Sequence, residues 1–169
     1  MKVERIETSF DAMTTIRNSF DSSLPPERFV FAARDFSARR IDVFPAVRAE
    51  HFVVHEQAGA SADVTEGTPA GIGVNWERCR YDWSEPGRVV ATVTGSNVYA
   101  CPGSRWELSA SPTRRGSRVE MRWIRRFRRT PRGLIFGALF RIVGRPIFRR
   151  YAREVVTNIE RLESASPAV

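Results

Sequence analysis

Residues 131–162, PRGLIFGALFRIVGRPIFRRYAREVVTNIERL, decide how this chain of 169 residues is read. They predict one long helix. Thr130 is a good N-cap, and Pro131 suits a first helical turn, where no N–H is needed. Residues 134–143 are apolar nearly all round apart from Arg141. Further on, Phe148, Ala152, Val155 or Val156, Ile159 and Leu162 recur at helical spacing, while Arg149, Arg153, Glu160 and Arg161 fall elsewhere. Gly144 and Pro146 predict a kink or an interruption, because proline removes an N–H and crowds the preceding turn.

Upstream of the helix, residues 46–127 alternate as strands separated by turn residues. The predicted strands are 47–56, 62–68, 72–83, 88–99, 104–110 and 118–127, with Ala58-Gly59, Pro69, Gly71, Pro86-Gly87, Pro102-Gly103 and 112–116 between them. Residues 14–22 read as a first strand. Leu24-Pro25-Pro26-Glu27 breaks it and opens a short helix over 27–34, and a second helical turn covers 37–43 before Pro45. Short connections argue for an antiparallel meander. Such a sheet has an apolar face to cover, and one late helix is available to cover it. A curved sheet gripping a single helix leaves a cavity, which predicts a container for an apolar molecule.

The length predicts one domain over 1–169, with its core at about 14–163 and loose ends. Four Trp and a 42% hydrophobic content exclude a disordered chain. The net charge is +8, and Lys2 is the only lysine, so arginine carries the excess. That bias fits either a GC-rich genome or a negatively charged partner. Cys79 and Cys101 lack metal-like spacing and predict free thiols in a reducing compartment. No stretch is apolar for ~18 residues, which predicts no span and a cytoplasmic protein.

The order strand, two short helices, six strands and a long helix resembles the START-like (SRPBCC, helix-grip) superfamily of carriers, lipid-transfer domains and aromatic polyketide cyclases. Leu24-Pro25-Pro26-Glu27, residues 116–123 and residues 158–162 resemble its helix entry, its last strand and the end of its gripping helix. The resemblance implies an α+β fold, a curved antiparallel sheet of about seven strands wrapped around the C-terminal helix. The cyclase branch carries a Trp and, four residues later, an Arg that point into the cavity, and Trp76 and Arg80 stand at that spacing. It also implies pocket walls at Trp106 and Trp123 and a polar group at Asn158. The chain departs from that branch in lacking a Trp over 36–47 and in a longer 111–117 loop.

Side chains alternate across a strand. On 72–83, one face holds Ile72, Val74, Trp76, Arg78 and Arg80, and the other Asn75, Glu77, Cys79, Tyr81 and Trp83. Neither is cleanly apolar, and the resemblance favours the Trp76 and Arg80 face. An inward Arg80 makes the cavity partly wet and suits a guest with an oxygen or a carboxylate. An outward Arg80 is simply solvated. Val119, Met121 and Trp123 share one face of the last strand, opposite Glu120, Arg122 and Arg126. Val89, Ala91 and Val93 set the apolar face of 88–99, and Asn97 and Tyr99 continue that parity toward a cavity mouth.

His51 and His55 share a strand face but lack a third ligand, so no metal is expected. No cofactor motif and no catalytic triad is found. Asp35, Asp42, Glu56 and Glu66 are the candidates for acid–base work. Arginines 125, 126, 128, 129, 132, 141, 145, 149 and 150 flank the apolar run and suit an anionic membrane surface better than nucleic acid. The chain is expected to be a monomer or homodimer. The expected function is binding of a small hydrophobic ligand by Trp76, Arg80, Asn97, Tyr99, Trp106, Met121, Trp123 and Asn158, with residues 129–145 as gate. The alternative is a polyketide cyclase or aromatase in which Arg80 stabilises enolate charge.

Overall fold

The computed structural model describes residues 13–69, 74–97, 101–127 and 131–165. Of the expected loose ends, Met13, Ser164 and Ala165 belong to regular elements; the rest, with Thr130 and Tyr99, lie outside the described residues. Seven strands form one antiparallel sheet: β1 (Met13–Ser22), β2 (Phe52–Ala58), β3 (Ser61–Pro69), β4 (Val74–Asp82), β5 (Arg88–Ser96), β6 (Arg105–Thr113) and β7 (Gly116–Arg126). Their order is β1-β7-β6-β5-β4-β3-β2. Successive strands are neighbours except at one step. After β1 the chain passes through α1 (Pro26–Arg34) and α2 (Arg39–Val43) to the far edge, and β7 returns to pair with β1. The long helix α3 (Pro131–Ala165) closes the chain. This is the helix-grip arrangement that the order of parts predicts.

Period-2 alternation builds the core. Val89, Ala91 and Val93 on β5, Trp106, Leu108 and Ala110 on β6, and Val119, Met121 and Trp123 on β7 are all buried. Opposite them lie Phe29, Ala32 and Ala33 of α1 and Ala152, Val155, Val156 and Ile159 of α3. The C-terminal half of α3 thus fills the grip, as its 3–4 spacing requires. Glu163 ties this half to both short helices, meeting Arg28 at 3.0 Å and Arg39 at 2.6 Å. Ser22 donates to Glu160 at 2.5 Å.

Close approach requires glycine at one point and favours it at another. At Gly116, opening β7, φ is +139°, and a Cβ would sit 2.2 Å from the Ser22 carbonyl oxygen. At Gly144 a Cβ would meet Ile16 Cδ1 at 2.9 Å, so glycine lets α3 lie down on β1. Pro146 does not interrupt α3, which runs unbroken from 131 to 165. It stands on the exposed side of the helix.

The strand predicted over 47–56 begins instead with a 3-10 turn, Ala49–His51, and β2 follows it. His51 and His55 therefore do not share a strand. His55 faces Thr65, 2.8 Å from its hydroxyl.

One buried charge holds α2 to the sheet. Arg40 is fully buried. Its guanidinium donates to Glu66 (2.8 Å), to the Ala33 carbonyl (2.8 Å) and to the Tyr81 hydroxyl (2.8 Å), and Tyr81 donates on to Glu66 (2.9 Å). The rings of Phe44, Phe36 and Tyr81 surround the guanidinium at 4.1, 4.8 and 5.1 Å from their centroids. Burial pulls the Arg40 pKa down, but Glu66 and Tyr81 outweigh it and the cation is held. Removing one partner of such a set strands the others, which costs about 3–5 kcal/mol. Arg40→Met should lower unfolding free energy by about that amount in urea titrations. Arg40→Lys, which cannot make the three-way fork, should not restore it.

Candidate ligand cavity

A cavity of about 360 Å³ lies between the concave face of the sheet and α3. Its walls are Phe44 and Val47 after α2, Trp106 on β6, Met121 and Trp123 on β7, and Phe148 and Tyr151 on α3. Trp123 packs tilted against Phe148 and edge-on to Tyr151, with ring centroids 4.8 and 6.1 Å away, and Trp106 touches Phe44 and Tyr81 at 5.9 and 5.7 Å. These rings border open space on one side and core on the other. Asn75 and Ile147 are exposed lining residues and mark the mouth, beside Ala46 and Thr68. The Thr68 hydroxyl donates to the Ala46 carbonyl, joining β3 to the loop after α2.

Polar groups are few. Arg125 donates to both oxygens of Glu77, at 2.7 and 2.9 Å. Glu66 is spoken for by Arg40 and Tyr81. The Tyr151 hydroxyl has no hydrogen-bond partner among the described residues. Burial, with Glu66 nearby, lifts its pKa, so it stays a neutral donor. The indole N–H groups of Trp106 and Trp123 likewise have no acceptor among the described residues. The Cys79 thiol lies on the floor, where burial pushes its pKa well up and Glu77 and Glu66 add to the effect.

The expected site residues divide. Trp106, Met121 and Trp123 come together on the wall. Trp76 and Arg80 do not reach the cavity, which is a correction to the face favoured by the resemblance. The inward side of β4 is Asn75, Glu77, Cys79 and Tyr81, and Tyr81 is fully buried. Trp76 is 39% exposed on the outer side, where its ring lies over Gly95. Arg80 is exposed and pairs in register with Asp63 of β3. A buried Tyr and Cys outweigh one Trp in choosing the face, since Trp can cover a neighbouring glycine on the outer surface.

Asn97 is also corrected. A bulge at Arg78/Cys79 pairs Cys79 with Val93 and Arg78 with Gly95, so β5 changes parity after Val93. Asn97 then extends the β4 ladder: its amide oxygen accepts from Trp76 N–H (2.8 Å) and its amide nitrogen donates to the Val74 carbonyl (2.7 Å). Asn158 donates to the Val43 carbonyl at 3.3 Å, finishing α2, and does not line the cavity. Of the acidic candidates, Glu66 reaches the cavity and Asp35, Asp42 and Glu56 do not. Arg125, Glu77, Phe148 and Tyr151 line the cavity without standing out as site candidates in the sequence. Arg125 was legible in part: it stands two residues after Trp123 on the same strand face.

No family model matches the chain, and none of the curated proteins matches its sequence. Solved structures do match its fold. The Zhui aromatase/cyclase from Streptomyces sp. R1128 superposes with TM-score 0.73 at 14% identity, over 93% of this chain and 99% of that one. The di-domain aromatase/cyclase BexL of the BE-7585A biosynthetic pathway gives 0.74 at 12% identity, over 95% of this chain and 53% of that one. Major latex-like protein 151 of Panax ginseng gives 0.61 at 9% identity, over 88% and 96%. The chain has the helix-grip fold of START-like (SRPBCC) proteins.

Iodoacetamide at pH 8 should leave Cys79 unmodified in the native protein and modify it in denaturant, as read by peptide mass spectrometry. Rapid native labelling of Cys79 would mean a floor open to water.

Proposed function

We propose that this chain is a cytoplasmic carrier that holds one small, electrically neutral, mostly apolar molecule between its sheet and α3. The observation that carries this reading is the tryptophan-walled cavity of about 360 Å³. Its volume falls in the range of small-molecule sites, ~300–1,000 Å³, and its lining is mostly apolar with a few converging polar groups. Free thiols at Cys79 and Cys101 suit a reducing compartment.

Neutrality of the guest follows from the charges already matched. With Arg80 outside, the arginine lining the cavity is Arg125, and Glu77 occupies it at 2.7 Å. Glu66 is neutralised by Arg40. A carboxylate entering this space would meet two carboxylates and displace one from its partner, at the cost of an unpaired buried charge. A hydroxyl or carbonyl oxygen, by contrast, meets the neutral donor of Tyr151. Ile147 and Phe148 place α3 at the mouth, so the N-terminal half of this helix acts as the gate.

The enzyme alternative, cyclisation of a poly-β-keto chain, loses the group assigned to it. Arg80 lies on the outer face, and Arg125 is matched to Glu77.

Native mass spectrometry of protein purified from cells should show a co-purified neutral small molecule. Uptake of the neutral probe N-phenyl-1-naphthylamine should be blocked by Met121→Trp, which fills the cavity, and by Ile147→Trp, which narrows the mouth. Tyr151→Phe should weaken a guest that carries an oxygen about five- to tenfold, the worth of one hydrogen bond. Arg80→Ala should change nothing. An empty spectrum together with no probe uptake would defeat the reading.

A further inference from the structure

The outer side of the N-terminal half of α3 is apolar and uncovered. Ile142 is 75% exposed, Leu134 65%, Ile135 58% and Leu139 46%. Ile135, Leu139 and Ile142 recur at spacings of four and three, and Leu134, Ala138 and Pro146 stand on the same exposed side. The opposite side of the same turns is committed inward: Gly133 and Gly144 are buried, Gly137 lies against Phe127, and Phe140 stacks on Phe127 and Phe148. The outward side is therefore a ridge of aliphatic side chains with no packing role in the fold.

The charges around this ridge are of one sign. Residues 121–153 contain 11 arginines and no Asp or Glu. The rest of the chain has 16 basic residues against 19 acidic ones, so the whole positive excess resides in this segment. Arg141, Arg145, Arg149 and Arg150 are exposed along and beyond the ridge, and none is paired with a carboxylate among the described residues. Arg141 is fixed by the Thr14 hydroxyl at 3.3 Å. No helix among the described residues is long and apolar enough to cross a membrane.

We propose that the N-terminal half of α3 is a docking face for the surface of an anionic phospholipid bilayer, with Leu134, Ile135, Leu139 and Ile142 inserted at the headgroup level and the arginines on lipid phosphates. An aliphatic ridge rimmed by arginine, on a helix that does not span, has the chemistry of an interfacial helix. A second copy of this chain fits worse, because two-fold pairing of the ridges would bring both sets of arginines together. A nucleic acid would use the arginines but not the aliphatic row, which offers little to stack on a base. The same helix closes the cavity, so docking would present the gate to the lipid phase. That last step rests on the carrier reading; the docking itself does not.

The experiment is co-sedimentation of the full chain with vesicles of phosphatidylcholine alone or with one-third phosphatidylglycerol, at low and at high salt. Binding to the anionic vesicles should be strong at low salt, reduced at high salt, and weak on pure phosphatidylcholine. The double variant Ile135→Asp/Ile142→Asp should lose about tenfold or more in binding, as should Arg141→Gln/Arg145→Gln/Arg149→Gln. All substituted side chains are exposed, and circular dichroism melts should confirm that both variants keep the fold. Uptake of N-phenyl-1-naphthylamine by the unaltered chain, measured without vesicles, reads the cavity by itself and separates failure of docking from failure of the cavity reading. The proposal is overturned by absence of binding to the anionic vesicles, by undiminished binding of the aspartate variant, or by a dimer of the unaltered chain in sedimentation velocity that the aspartate variant dissolves.

Discussion

A buried cation constrains this molecule more tightly than any apolar contact does. Arg40 sits in the interior without water, so its N–H groups must find acceptors in the protein. They find three, on α1, β3 and β4, and aromatic faces cover the plane of the guanidinium. These demands fix α2 against the sheet to within hydrogen-bond tolerance. The placement of α2 in turn sets Phe44, Ala46 and Val47, which form one wall of the cavity. Asn158 secures the same short helix from the α3 side through the Val43 carbonyl. A five-residue helix has little stability of its own, and here its position comes from these polar anchors.

The interior is thus organised in two charged clusters with an apolar space between them. Arg40, Glu66 and Tyr81 form one, and Glu77 with Arg125 the other. Each is internally matched, so the space between them carries rings and a few neutral donors rather than unbalanced charge. The pair from β4 to β7 also spans two intervening strands of the sheet order, which is geometrically possible because the sheet curls around α3.

Element order, the two short helices, the terminal helix and the inward face of β7 were legible in the sequence, because each rests on a local rule: proline placement, turn residues, or period. The inward face of β4 was not. Both of its faces mix charged and aromatic residues, and the choice is made by long-range partners, Arg40 for Tyr81 and Arg125 for Glu77. The parity of β5 beyond Val93 was lost for a different reason. A bulge leaves no signature in the alternation until the pairing partner is known, and it sent Asn97 to the ladder. Arg40 was hidden because one arginine in a short polar helix reads as solvated. Arg125 was hidden by its neighbours: a run of arginines reads as one surface, although period 2 assigns Arg125 to the Trp123 side.

Pro146 has a mechanical consequence for the terminal helix. It offers no amide proton, so the i to i−4 ladder lacks the rung that would tie position 146 to the carbonyl of Ile142. Below this gap the helix is fastened by Ala152, Val155, Val156 and Ile159 in the grip, and above it by glycines and a few aromatic edges. The two segments need not loosen together: local opening of the upper segment can occur without global unfolding, whereas the lower one is held in the core. Under the proposed carrier reading, admission of a guest would require detachment of the upper segment alone, with the sheet and its lower clasp undisturbed.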